Sequence, residues 1–205
     1  MPDLPFIKYY CEKCGLVLKN KNICSLCNNN GSIFNKFIVV FNYKAPISKL
    51  IKNFKYYNNI LNRKILGELL VDKILSSYKS NNKSNNENSF PEIIIPVPSY
   101  AKKLKSRGFN QSIELAIFLS ERLNLKLDTA FIVKTKDTLS QVGLDREERL
   151  NNLANSFEIK NYTNYKHIAI VDDIVTTSAT ILALQKVIKN NISDIKVDIW
   201  CLAKK

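Results

Sequence analysis

The sequence predicts an α/β protein whose main body is a mostly parallel sheet, preceded by a short cysteine-bearing module. Three observations lead there. The segment IAIV at 168–171 is a continuous apolar run ending on Asp172-Asp173, the pattern of a buried strand rather than one with a wet face. Strand-length and helix-length segments alternate from residue 90 onward, the order produced by parallel strands and their crossover connections. Hydrophobic side chains make up 45% of 205 residues, enough for one good core, or for a core plus a small module.

Four regions follow in order. Residues 1–34 are polar and carry four of the five cysteines. Residues 35–78 open with FIVVF, a strand, and continue after Pro46 into an apolar-periodic run from Ile47 to Leu75. That run predicts one or two helices broken within Tyr56–Asn62, with Leu50, Phe54, Leu66, Leu69, Leu70 and Ile74 as core candidates. Residues 79–89, the end of an Asn-, Ser- and Lys-rich tract, read as a flexible linker or loop, because their side chains bury too little to offset backbone ordering. Residues 90–205 form the larger domain.

Within that domain EIIIPVP is a short strand: Ile93–Ile95 are β-branched, and Pro96 and Pro98 end the ladder. Gln111–Leu123 has helical spacing. Ala130–Val133 is a short strand, and a polar stretch then runs from Lys134 to Asn152. Phe157–Ile159 is a second short strand, His167–Val171 the strongest one, and a helix spans Thr177 to Ile188. Lys196–Leu202 closes the chain with another strand.

Cys11-x2-Cys14 and Cys24-x2-Cys27 form two hooks separated by nine residues. Tetrahedral zinc takes four soft donors at about 2.3 Å, and each CxxC places two thiolates on one side of the ion. Four thiolates leave no open position for water, so the site reads as structural, with one zinc per chain. An iron–sulfur cluster uses the same ligand type, but the short knuckle spacing favours zinc. The metal supplies folding energy that a polar segment of this length lacks. The module either touches nucleic acid or braces the N-terminal segment against the main domain. Cys201, in an apolar strand, reads as a small buried hydrophobe.

The formal charge is +13, from 31 basic and 18 acidic residues. It suits an anionic partner such as nucleic acid, a polyphosphate or an acidic protein surface, and equally suits a lysine-rich solvated surface. The N-terminus lacks the basic and apolar regions of a secretory signal, and no 18-residue apolar run is present. The expectation is a cytoplasmic protein with no membrane insertion.

IAIVDDIVTTSAT, at 168–180, combines a strand, a carboxylate pair, short hydroxyl side chains and a helix start. Amides in the first helical turn lack intrahelical partners and can hold a phosphate, with threonine and serine hydroxyls adding donors. Two carboxylates at a strand end require a polar crevice, where they can meet a ribose or a metal. His167, at the far end of the strand, reads as structural.

VDDIVTTSAT resembles the phosphoribosyl-diphosphate signature of type I phosphoribosyltransferases, and the chain as a whole resembles the ComF family, the ComFC/GntX-like proteins tied to DNA uptake in natural competence. The likeness extends over the four-cysteine finger, FNYKAPISKLIKNFKY, IIIPVPSYAKKLKSRGFNQS and the stretch Gln141…Arg146…Arg149…Asn151-Asn152. It implies a type I phosphoribosyltransferase-like sheet with helices on both faces, and binding of phosphoribosyl diphosphate with Mg²⁺. By that likeness Asp172 and Asp173 approach the ribose hydroxyls, directly or through Mg²⁺-bound water. Thr176, Thr177, Ser178, Ala179 and Thr180 form the 5′-phosphate loop. Pro98 begins the diphosphate-binding turn, and Arg107, Asn110 and Gln111 face the ligand or fix that turn. Thr135–Asn152 is a cover over the site, with Gln141, Arg146 and Arg149 as anion contacts.

If a ribosyl phosphate is transferred, the resemblance gives the catalytic work to Asp172, Asp173 and Arg107, with the arginine and Mg²⁺ stabilising the departing diphosphate. Transfer and simple sensing of the ligand both remain open. The signature ordinarily has glycine where this chain has Ser178. A left-handed backbone there would cost serine about 1 kcal/mol.

No hood naming a nucleobase is evident; residues 35–78 are the candidate. Lys36, Lys44, Lys49, Lys52, Lys55, Arg63, Lys64 and Lys73 are interleaved there with Tyr43, Phe54, Tyr56 and Tyr57, a mixture suited to single-stranded DNA and equally to packing a helix on the sheet. The resemblance implies single-stranded DNA, with a DNA-uptake helicase or recombination proteins as further partners. The competing readings are a salvage nucleobase phosphoribosyltransferase, and a non-catalytic adaptor with a vestigial ligand site.

Overall fold

A computed structural model of the chain describes residues 4–20, 24–30, 33–57, 60–79, 90–100, 108–136, 146–160 and 164–205. Five strands form one sheet: β1 (Lys36–Asn42), β2 (Ile93–Pro96), β3 (Lys126–Leu127), β6 (His167–Val175) and β7 (Lys196–Lys204). Their order is β1-β7-β6-β2-β3, and every neighbouring pair is parallel. A separate antiparallel pair joins β4 (Ile132–Lys134) to β5 (Phe157–Ile159). The helices are α1 (Ser25–Asn30), α2 (Ile47–Tyr57), α3 (Ile60–Lys79), α4 (Gln111–Leu123), α5 (Arg146–Ala154) and α6 (Ala179–Asn191).

Both faces of the sheet are covered. Alternate residues divide between them: Ile168, Ile170, Val197 and Ile199 pack with Ile181, Leu184 and Ile188 of α6 and with Ala154 of α5. Ala169, Val171, Trp200 and Leu202 pack with Ile47 and Ile51 of α2, Leu66, Leu70 and Ile74 of α3, and Leu115 and Leu119 of α4. Burial on both sides explains why these strands read as continuous apolar runs. The expected α/β architecture, a mostly parallel sheet with helices on both faces, is the observed one.

Residues 35–78 join this sheet directly, since β1 is an edge strand paired along β7. Several members of the basic and aromatic array are consequently part of the interior. Phe54 shares the buried face of α2 with Ile47 and Ile51 and is fully buried, so its ring offers no stacking surface. Lys36 is buried at the start of β1, its Nζ donating to the Ser77 carbonyl at 3.2 Å and lying 4.3 Å from the Tyr78 ring centroid. Arg63 pairs with Glu114 of α4. Lys44, Lys49, Lys52 and Lys64 remain exposed. The linker at 79–89 begins at the last residue of α3, and its remainder, 80–89, lies outside the described residues.

At the amino ends of the strands sits a buried polar cluster. Asp198 accepts from Asn35 Nδ2 at 2.7 Å and from the Tyr78 hydroxyl, and lies 2.9 Å from His167 Nε2. His167 is thus a buried structural partner at the end of β6 remote from Asp172.

Candidate ligand crevice and cysteine centre

The two central connections of the sheet leave in opposite directions. From β2 the chain passes through α4, on one face, to β3 at the edge; from β6 it passes through α6, on the other face, to β7. The β2/β6 boundary is therefore a topological switch point, where the carboxyl ends of parallel strands leave a crevice. Pairing of Pro96 with Val171, and the Val97 amide donating to the Val171 carbonyl at 2.9 Å, set Pro98 beside the carboxylate pair. The starts of α4 and α6 open at this end as well.

Strand β6 runs to Val175, so the carboxylates belong to its last part instead of following it. Asp172 is half-buried and Asp173 buried. Asp172 Oδ1 accepts from the Ser112 hydroxyl at 2.8 Å and from the Asp173 amide at 2.9 Å, which fixes its orientation. Asn110 is the N-cap of α4: its Oδ1 accepts from the Ser112 amide at 3.0 Å, and its Nδ2 donates to the Val97 carbonyl at 3.0 Å. Asn110 thereby ties the start of α4 to the end of β2. Gln111 is buried at the first position of α4. An adjoining cleft of ≈ 200 Å³ lies between Pro96, Pro98, Asn110, Ile113, Thr129 and Val133.

The turn into α6 is left-handed at Ser178, with φ 62° and ψ 0°. The geometry usually supplied by glycine is thus present, with serine bearing it. Thr176 and Thr177 are exposed, Ser178, Ala179 and Thr180 half-buried. Ser178 is at the N-cap position, yet its side chain makes no cap hydrogen bond. Its Oγ instead accepts from Lys204 Nζ at 3.0 Å, and the same ammonium donates to the Thr176 carbonyl at 2.8 Å. Burial lowers the Lys204 pKa, partly opposed by Cys201 and Cys14.

Lys204 and Ser112 were not among the residues singled out from the sequence. Alternation along β7 puts Lys204 on the face of Trp200 and Leu202, but only the β6–β7 register, pairing it with Val175, brings it to the turn. Ser112 needed the contact between α4 and β6. Arg107 and Gln141 lie outside the described residues. The backbones of Arg146 and Arg149 are in α5, and their side chains lie outside the described set. The later part of the expected cover is this helix, packed through Leu150, Leu153 and Ala154 on the same apolar face as α6.

The cysteines converge at the opposite edge. Sγ atoms of Cys11, Cys14, Cys24 and Cys27 all lie within 4.8 Å of one another, and Cys11, Cys24 and Cys27 are buried. A tetrahedral ion with Zn–S bonds of about 2.3 Å separates its sulfurs by about 3.8 Å. The Cys14–Cys24 separation of 3.6 Å fits that spacing and is far beyond a disulfide bond of about 2.05 Å. Burial pushes the Cys14 thiol up. Burial also opposes ionisation of Cys24, but hydrogen bonds from the Cys27 amide and neighbouring thiols outweigh it and lower its pKa. Gly15, at φ +72°, closes the first hook with its amide on the Cys11 carbonyl at 2.8 Å. Four close, inward-pointing thiols are compatible with zinc.

Fold and crevice together define a doubly wound α/β protein with a polar site at its switch point and a four-thiol centre at its sheet edge. No family model matches the chain. It is 30% identical over 199 residues to competence protein F of Haemophilus influenzae, covering 95% of this chain and 84% of that protein. It is 29% identical over 198 residues to the DNA utilization protein YhgH of Escherichia coli, covering 96% and 85%. The corresponding protein of Salmonella typhimurium is 28% identical over 195 residues, covering 95% and 83%. This chain belongs to the competence protein F family. A solved structure described as an analysis of an invariant aspartic acid in HPRTs, asparagine mutant, overlaps 70% of this chain and 74% of its own at 16% identity and a TM-score of 0.36, a likeness too distant to bear on function.

Proposed function

We propose that this protein binds phosphoribosyl diphosphate with Mg²⁺ in the switch-point crevice and takes part in natural transformation, in the uptake or processing of incoming single-stranded DNA. The observation that carries the ligand reading is the meeting of a carboxylate pair, Asp172 held by Ser112, with a left-handed helix start whose N-cap serine makes no side-chain cap bond. Asp172 and Asp173 supply hard oxygen donors suited to ribose hydroxyls or to hydrated Mg²⁺. The amides of the first turn of α6, with the hydroxyls of Thr176, Thr177, Ser178 and Thr180, take the 5′-phosphate. Pro98 starts the wall facing the diphosphate, and Arg107, Gln141, Arg146 and Arg149 are its proposed anion contacts. Bound Mg²⁺ neutralises diphosphate charge. The DNA reading rests on the relatives named for competence and DNA utilization and on the exposed lysines near α2. The four cysteines hold one structural zinc in this reading.

Calorimetry with phosphoribosyl diphosphate, with and without Mg²⁺, tests the site. The expected result is Mg²⁺-dependent binding that D172N/D173N reduces by at least about tenfold, the size of one or two lost charge-assisted hydrogen bonds. Absence of binding, or equal binding by the variant, removes the assignment. Single-stranded DNA titrated over a salt series should bind with an affinity that falls steeply as salt rises. Negligible affinity at low salt removes direct DNA contact.

A further inference from the structure

We infer that Lys204 is a positioning residue of the phosphate turn, keeping Ser178 in its left-handed conformation and away from capping its own helix. The inference rests on the ligand reading above and extends it to a residue outside the signature.

A serine at a helix N-cap ordinarily has an extended backbone and turns its oxygen onto an amide of the first turn. The Ala179 amide already lies 3.5 Å from Thr177 Oγ1, and a capping Ser178 would take a further amide of the first turn from an anion. Instead its φ is 62° and its Oγ meets the Lys204 ammonium at 3.0 Å. That ammonium also grips the Thr176 carbonyl at 2.8 Å, so one cation bridges both sides of the turn. A lysine ammonium has three donors and no acceptor, so the Ser178 oxygen must accept in this pair and its own O–H is left to donate.

The clamp is itself fixed. Lys204 is buried, β7 is held to β6 through Val175, and the Lys205 amide donates to the Val175 carbonyl at 3.1 Å. On the other side the Tyr43 amide donates to the Lys204 carbonyl at 2.8 Å. A rigid strand end therefore carries the cation. The backbone strain that glycine would have avoided is offset by two charge-assisted hydrogen bonds, which are stronger than neutral ones.

Two readouts test this, on zinc-loaded protein. Amide hydrogen exchange across Thr176–Ile181 in the free protein reads the clamp without any ligand. Calorimetry with Mg²⁺ and phosphoribosyl diphosphate reads its consequence. K204M should speed exchange in the turn while leaving exchange in the middle of β6 unchanged, and should weaken binding about tenfold, as expected for loss of hydrogen bonds to a charged group.

S178A, which retains the lysine and loses the acceptor, should also loosen the turn and serves where K204M fails to fold. In an S178G background, where there is no serine to divert and no strain to oppose, K204M should weaken binding less than about threefold, because contacting residues couple. An equal loss in both backgrounds marks Lys204 as a simple charge and overturns the inference. So does unchanged exchange in K204M and S178A. If wild-type protein fails to bind but both variants loosen the turn, the clamp stands and the ligand reading alone falls.

Discussion

Gly15 follows Cys14 directly and closes the first hook at φ +72°, with the Phe37 ring where a β-carbon would stand. A side chain there meets two penalties: left-handed strain, and a collision with a fully buried ring of β1. Gly108 has φ +81° but open space around it, so only the first penalty applies. G15A should therefore destabilise zinc-loaded protein by about 2–4 kcal/mol and G108A by about 1 kcal/mol, read from urea midpoints. Equal midpoint shifts would show that the Phe37 contact is unimportant. Single residues were legible from sequence where spacing itself carried the chemistry, as with the four cysteines and the Asp172-Asp173 pair. Lys204 and Ser112 were not, because each acts across strands or helices distant in the chain, and no local pattern encodes such a contact.

Helix α4 illustrates what an element needs. Its range, Gln111–Leu123, agrees with the sequence expectation because both ends are locally specified: Asn110 caps the start and Asn124, at φ 52°, ends it. Asn110 also ties that start to the Val97 carbonyl, so the helix and the end of β2 are one unit. N110A should cost about 1–2 kcal/mol, the value of a cap plus a hydrogen bond to a buried carbonyl. N110D keeps the cap acceptor but lacks the amide donor to Val97, and should lie between the two in thermal unfolding. An N110D protein as unstable as N110A would mean that the tether, not the cap, fixes the helix. Other elements were less readable. REERLNNLA has too few apolar residues to announce α5, which is defined by its packing on the face it shares with α6. Strand β6 continues through a carboxylate pair that looked like its end, because β7 pairs with it as far as Val175.

Across the whole molecule the two candidate sites stand at opposite places on the sheet, the crevice between β2 and β6 and the thiol centre beside β1. The N-terminal segment closes the free edge of β1: Phe6 bridges Phe41, the Ile7 amide donates to the Val40 carbonyl at 3.0 Å, and the Asn42 amide to the Pro5 carbonyl at 2.8 Å. The thiol hooks sit at the other end of that edge, where the Phe34 amide donates to the Lys13 carbonyl at 3.0 Å and the Phe37 amide to the Glu12 carbonyl. Among the described residues, the apolar side chains packed on the four cysteines are Leu18 and Ile33. A bound metal is then the main internal constraint on the cover. Chelation should loosen the segment and expose Lys36–Asn42, a strand buried along nearly its whole length, to pairing with other chains. The expected outcome is a lower unfolding temperature and concentration-dependent growth in light scattering, reversed by added zinc. Ligand affinity should fall only modestly, since the pairing with Val175 still holds Lys204 to β6 when the Tyr43 contact loosens. Unchanged scattering and unfolding temperature after complete metal removal would show that the cover holds without its thiol centre, and that the centre faces a partner instead of the sheet.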